Sequence, residues 1–305
     1  MTLIPHPAEA VVFAPDLAHA YDTHREPWAG AGGAKLTVSV LLHAPSYQDV
    51  PPAGSVTPMS MQGGVGRDTS EPRHGQVARL SQWDFGLTVG IWRLLAIAER
   101  SGVPVAVALD ESGARTVPGL ARGVAERAQE IVVRGQAANS ILSQAMDEST
   151  ERSYITRSRD AVAHYTARES TGWFSPERAS TSRTTALLRE SGFRWLGDWP
   201  IDERPVALTG RSSGLTAVAH PLETEDMFAL YSRGQPFSDY EEVLAATVDQ
   251  LVADAAIVGP RHLGLSWFGW VSGQAAFADV AERTLRMLVA HPDVRLVTPG
   301  EVAAL

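Results

Sequence analysis

The chain has no cysteine at all. That excludes disulfides, thiolate metal ligands and cysteine nucleophiles, and it fits a reducing compartment, so a cytoplasmic location is expected. No run of about 18 apolar residues occurs, so no membrane-spanning helix is expected. The N-terminal "MTLIPHPAEAVVFAPDLAHA" lacks a basic start followed by an apolar run, so no secretory signal is expected either. No basic block is present, and the formal net charge is −9. A nucleic-acid partner is therefore not expected, nor a membrane surface. No G-x-G-x-x-G follows the first strand, which argues against a dinucleotide fold. No two histidines stand at i, i+4, so a helical metal-binding pair is absent; His19 and His24 are the nearest two.

What is present suits a large soluble core. Of the 305 residues, 44% are apolar and only 20% charged, which makes bulk disorder improbable. Residues 1–34 read as an irregular extension closed by the hinge "AGAGGA". "KLTVSVLL" (35–42) is β-branched and apolar throughout, as a strand covered on both faces should be. Residues 43–84 hold Pro, Gly, Ser, Met59 and Met61 without periodicity, a composition suited to a functional loop or an intersubunit surface. Helices are expected over 85–102, 117–129, 140–168, 180–192, 238–257 and 276–290. Strands are expected over 103–110, 130–135, 172–177, 193–199, 215–221, 262–270 and 294–299. Strand and helix alternate about seven times without a break in composition, the pattern of one parallel α/β barrel or a doubly wound sheet.

Several blocks carry a family resemblance. "WDFGLTVGIWRLLAIAERSG" resembles the Y-G-x-R-x-G-x-W-R-x-L segment of the polysaccharide deacetylase superfamily, especially its allantoinase-like branch. "AQEIVVRG" is similar to that family's E-I-x-x-H-G. "GWFSPERASTSRTTALLRESGFRWLGDWPIDERP" resembles its G-W-x-S-P…L-L-x-E-x-G-F…D-x-x-x-D-x-x-P. "AVAHPLETEDM" and "GWVSGQAAFADV" resemble its P-Y-x-x-E-x-N-D-M and H-P-W-x-x-G-Q-P-H-R. The blocks run in family order from about residue 35 to the C-terminus. The resemblance implies a distorted (β/α)7-type barrel over 35–305, the carbohydrate-esterase kind, with its site at the C-terminal strand ends.

It also implies one divalent metal held by an aspartate and two histidines, with a second aspartate as base and a late histidine as acid. This sequence departs from each part. His43 stands near the first acidic position, Arg134 and Ala138 at the two histidines, and Phe268 and Gly269 at the late His-Pro. A permanently cationic Arg134 repels a metal. No metal and no other cofactor is therefore expected.

The remaining candidates are polar residues near strand ends. His43 and His220, with Asp226, are the candidate acid/base groups; structurally, either histidine can be a hydrogen-bonded rim residue and Asp226 a helix cap. Arg134 can hold a carboxylate or ureido oxygen, or pair with Glu177 or Asp226. Glu177, Arg178 and Asp198 are candidate substrate contacts, or a salt-bridge network together with Asp202 and Arg204. Trp270 is a candidate platform, although Trp173, Trp195, Trp199, Trp267 and Trp270 read first as core.

Two functional readings follow. One is a metal-independent hydrolase of non-peptide carbon–nitrogen bonds in small amides, ureides or imides. The alternative is a non-catalytic family member, either the partner subunit of an active paralogue or a binder of small molecules or carbohydrate. A homo-oligomer, or a hetero-oligomer with a related chain, is expected in both.

Overall fold

The computed structural model describes residues 28–56, 75 and 77–305, leaving aside the side chain of Arg79. Residues 1–27 and 57–74, with most of the proposed extension, His19, His24, Met59 and Met61, lie outside the described residues.

The described chain is an α/β half-barrel. Its strands are β1 (Leu36–Ala44), β2 (Ala106–Leu109), β3 (Glu130–Val133), β4 (Gly172–Trp173), β5 (Trp195–Leu196), β6 (Val206–Ala207), β7 (Thr216–Ala217), β8 (Arg261–Phe268) and β9 (Val294–Val297). They form one curled sheet in the order β6-β7-β5-β4-β3-β2-β1-β8, with β9 also pairing β1. All pairs are parallel except β6–β7, an antiparallel edge that the expectation of a wholly parallel barrel did not include.

The long helices are α1 (Val77–Phe85), α2 (Ile91–Ser101), α4 (Pro118–Arg127), α5 (Glu148–Thr166), α7 (Phe237–Val258) and α8 (Ala275–Ala290). Short α3 (Glu111–Thr116), α6 (Thr184–Glu190) and α9 (Pro299–Ala304) complete the set. One expected helix begins later than its sequence pattern suggests. α5 starts at Glu148, not at residue 140, because Asp147 accepts the Thr150 N–H at 2.7 Å as an N-cap. Before it, Asn139 ties itself to the Gln48 backbone and Ile141 forms a bridge with Val56.

The period of two along each strand divides the core. Leu36, Val38, Val40, Leu42, Val107, Leu109, Ile131, Val133, Trp173 and Leu196 belong to the large cluster beneath the helices. Leu41, Ala106, Ala108, Val132, Phe174, Trp195 and Val218 form a second, smaller cluster inside the barrel, with Val302 of α9. Successive residues of a strand face opposite ways, so Ser39 and His43 lie on the inner face with Leu41. His262, Ser266 and Phe268 share the inner face of β8, because His43 pairs with Phe268 and Leu41 with Ser266.

Closure between β7 and β8 depends on a glycine. A Cβ on Gly264 would stand 2.4 Å from the Ala219 carbonyl oxygen, so only glycine lets the segment after β7 lie against β8. Glu225 then bridges Ser266 in parallel. Gly90 plays a similar part outside the barrel. It ends a π turn (86–90) between α1 and α2, and a Cβ there would collide with the Gly269 carbonyl. This contact presses the helix against the loop after β8.

Candidate functional site

Four strand ends and the loops after them build the mouth of the barrel. His43 comes from β1, Arg134 follows β3, Phe174 follows β4 and Phe268 ends β8. The Arg134 N–H donates to the Leu109 carbonyl at 2.8 Å, and the Phe174 N–H to the Val133 carbonyl at 3.0 Å. Ladder bonding thus continues past the strands and sets both side chains.

These residues stack in order. The Arg178 guanidinium lies over the Phe174 ring at 4.9 Å. The His43 ring meets Phe174 edge-on at 4.7 Å and lies flat on Phe268 at 4.4 Å. The Arg134 guanidinium covers Phe268 at 5.4 Å. A neutral imidazole between two phenyl rings, with a cation at each end, is a charge pattern that aromatic quadrupoles support.

His43 is fully buried, and neither ring nitrogen has a hydrogen-bond partner. Burial above all, then the charges of Arg134, His220 and Arg178, hold its pKa well below the usual imidazole range. Arg134 is 2% exposed, and its Nε and Nη1 have no hydrogen-bond partner. Burial lowers its pKa, while Asp110, Glu177 and Glu225 pull the other way. The pairing with Asp226 considered from sequence is not what the structure contains.

The acids around this stack are mostly engaged elsewhere. Asp110 receives the Ser46 N–H and hydroxyl, each at 2.6 Å, and the Gly113 N–H at 2.7 Å; burial still pushes it up to about 6. Asp198 receives the Ser175 N–H and hydroxyl at 2.6 and 2.7 Å, and the Ser180 hydroxyl as well. Asp226 receives the N–H groups of Met227 at 2.7 Å, Phe268 at 2.9 Å and Ser272 at 3.1 Å. It therefore holds the end of β8 and the loop after it. Burial pushes it up to about 7, against the hydrogen bonds from Ser272 and Phe268. Glu225 pairs with Arg178 at 2.7 Å.

Glu177 and Arg178 both have φ of +53°, a left-handed conformation that costs non-glycine residues about 1–3 kcal/mol each. Burial raises the Glu177 pKa, with Arg134 opposing. His220 is fully buried; its Nδ1 lies 3.0 Å from the Val218 carbonyl, which leaves Nε2 without a partner. It meets Phe174 of the stack edge-on at 5.9 Å and lies 6.3 Å from His262 between ring centres. His262 bonds Ser39 Oγ at 2.9 Å, and burial drives its pKa down to about 3. Trp270 is buried against Trp83 and Tyr231, so it is no exposed platform, although its Nε1 has no partner. Trp173, Trp195 and Trp267 are likewise core.

Sequence reasoning did not single out Asp110, Phe174, Glu225 or His262, and it took Phe268 only as the replacement of a histidine. Strand alternation was the usable signal. Counting by twos from His43 and through its β8 partner places Phe268 and His262 on the same inner face.

The metal implied by the family resemblance does not fit these residues. Arg134 brings a fixed cation and Ala138 no donor, while Asp110, Asp198 and Asp226 already accept several hydrogen bonds each. Among the described residues, no three His, Asp or Glu side chains form a group able to hold a metal ion.

No protein-family model and no curated protein sequence matches the chain. Solved structures do. Puue allantoinase superposes with a TM-score of 0.82 at 20% identity, covering 96% of this chain and 97% of that one. A polysaccharide deacetylase structure from Mycobacterium smegmatis gives 0.74 at 20% identity, covering 92% and 93%. A mutant of a Bacillus anthracis CE4 family pseudoenzyme, with restored enzymatic activity, gives 0.50 at 6% identity, covering 90% and 69%. This chain has the fold of the polysaccharide deacetylase superfamily.

Proposed function

We propose that this protein is a metal-independent hydrolase of non-peptide carbon–nitrogen bonds in small amides, ureides or imides. One observation carries the reading: a buried, neutral His43 with both nitrogens free shares the mouth with an Arg134 guanidinium whose Nε and Nη1 have no hydrogen-bond partner. The similarity of fold to an allantoinase and to a polysaccharide deacetylase supports the reaction class.

In the proposed step, water adds to the carbonyl carbon while His43 takes its proton. Arg134 donates N–H bonds to the carbonyl oxygen as it becomes anionic. The C–N bond then breaks, and the imidazolium returns its proton to the departing nitrogen. A positioned base contributes about 10²–10⁴ and an oxyanion donor about 10²–10³. His220 is a second proton acceptor through its free Nε2. Asp226 acts at a distance, by holding the Phe268 and Ser272 backbone. Because Arg134 and Arg178 oppose the imidazolium, His43 is a weak base and turnover is slow. Glu177, Arg178 and Asp198 shape the rim around the substrate.

The second reading is a non-catalytic binder or partner subunit. It is favoured by the engagement of Asp110, Asp198 and Asp226, none of which is bonded to His43 as an orienting carboxylate. A homo-oligomer, or a hetero-oligomer with a related chain, belongs to either reading and is checked by light scattering.

The test incubates chelator-treated protein with allantoin, hydantoin, dihydrouracil, acetamide, N-acetylglycine and N-carbamoylglycine, and follows acid, amine and ammonia release. Turnover that survives the chelator and falls at least about 100-fold in both His43→Gln and Arg134→Gln is expected. Its pH profile should be flat from about 6.5 to 8, since an imidazole with a lowered pKa stays in its basic form throughout. Turnover abolished by the chelator, or no turnover at all, rejects the hydrolase.

A further inference from the structure

Arg134 poses a question of charge. A guanidinium buried this deeply is costly unless an anion meets it. None of the acids that sense its charge forms an ion pair with it. Asp110 is fixed by Ser46 and by the first turn of α3. Glu225 is fixed by Arg178 at 2.7 Å. Glu177 acts on Arg134 by its charge but forms no ion pair with it. The equivalent cation at the other end of the stack, Arg178, is already answered by Glu225 and by the Gly197 carbonyl at 3.3 Å. One end of the stack is thus neutralised and the other is not.

We propose that the missing charge comes with the substrate: the site takes a small amide that carries a carboxylate, such as an N-acyl or N-carbamoyl amino acid. Its carboxylate pairs with the unpartnered Nε and Nη1 of Arg134. A guanidinium offers five N–H groups, enough for a carboxylate and the neighbouring carbonyl oxygen together. Lysine, a point charge, would not serve both. The amide half of this inference rests on the hydrolase reading; the carboxylate half does not.

The experiment separates the two halves. Metal-free wild-type protein is titrated calorimetrically with N-acetylglycine, N-carbamoylglycine and N-carbamoylphenylalanine, and with the neutral N-acetylglycinamide. Melting temperatures are recorded alongside. At least one acid should bind about tenfold or more tightly than the neutral amide, as expected for hydrogen bonds to a charged group. That preference should vanish in Arg134→Gln and shrink in Arg134→Lys, both judged folded by circular dichroism. The ligand comparison on wild-type protein needs neither variant. No binding by any acid, equal binding of acid and amide, or a preference that survives Arg134→Gln overturns the proposal. An acid that binds through Arg134 but is never hydrolysed leaves the inference standing and rejects the hydrolase. Hydrolysis of neutral amides without preference for acids does the reverse.

Discussion

The two ends of the barrel treat buried polar groups differently. At the base, the Glu130 carboxylate accepts the Trp195 indole N–H at 2.9 Å and the Gly300 N–H at 2.8 Å. α9, which supplies Gly300, starts with a complete capping box of Thr298 and Glu301. At the mouth, His43 and Arg134 are more deeply buried than Glu130 and have unpartnered nitrogens. Folding alone explains the Glu130 network, because its carboxylate and both donors are satisfied by the chain. It does not explain the mouth, where desolvation is paid without a partner in the protein. The difference assigns the base to stability and the mouth to a ligand.

The largest effect expected from this contrast lies at the base. Glu130→Ala leaves the Trp195 and Gly300 donors unpaired and should cost about 2–4 kcal/mol in chemical denaturation. A loss below about 1 kcal/mol would mean that the base is not the anchor described here.

An effect that is smaller per pH unit, and is read as a slope, belongs to His262. Its folded pKa of about 3 lies below the ordinary 6.5, so between those values the unfolded chain holds more protons. Its contribution to stability is therefore complete above 6.5 and declines as pH falls toward 3, by about 1.4 kcal/mol per pH unit. His262→Gln keeps a partner for Ser39 and should flatten the decline between pH 6 and 4. Denaturation curves with the same slope in both proteins would place that histidine in water.

The smallest effect should be on the stability of Arg134→Gln, within about 1 kcal/mol of wild type or above it, since no hydrogen bond is broken. A loss beyond about 2 kcal/mol would turn the mouth into another structural network and erase the contrast.

Much of the fold was legible beforehand. β1 and β8 are long strands rich in apolar residues, and α7 was expected over 238–257 and is seen over Phe237–Val258, because both patterns are long enough to override local ambiguity. Short strands were not: 193–199 and 215–221 read as strands, yet only Trp195–Leu196 and Thr216–Ala217 pair as such. Two-residue strands are defined by their neighbours, which a local pattern does not contain. The antiparallel β6 was missed for the same reason. In the site, Arg134, His43 and His220 were read as strand-end residues, but their burial was not foreseen, and nothing local distinguishes an engaged carboxylate from a free one. Asp226 and Asp198 were taken as candidates beside Glu177, and they differ from it only in the backbone N–H groups and hydroxyls that reach them.

The sequence by itself determined the alternation of elements, the inner and outer faces of the long strands, and the replacement of imidazole by a guanidinium at residue 134. Those are properties of residue type and period, and both are written along the chain. Only the tertiary structure decided that Arg178 is neutralised while Arg134 is not, and that His43 lies between two phenyl rings. Such facts depend on partners from distant strands, as His43 with Phe268 or Arg178 with Glu225. Burial then makes an absent partner matter, because a charge that water would have screened is left for a ligand to meet.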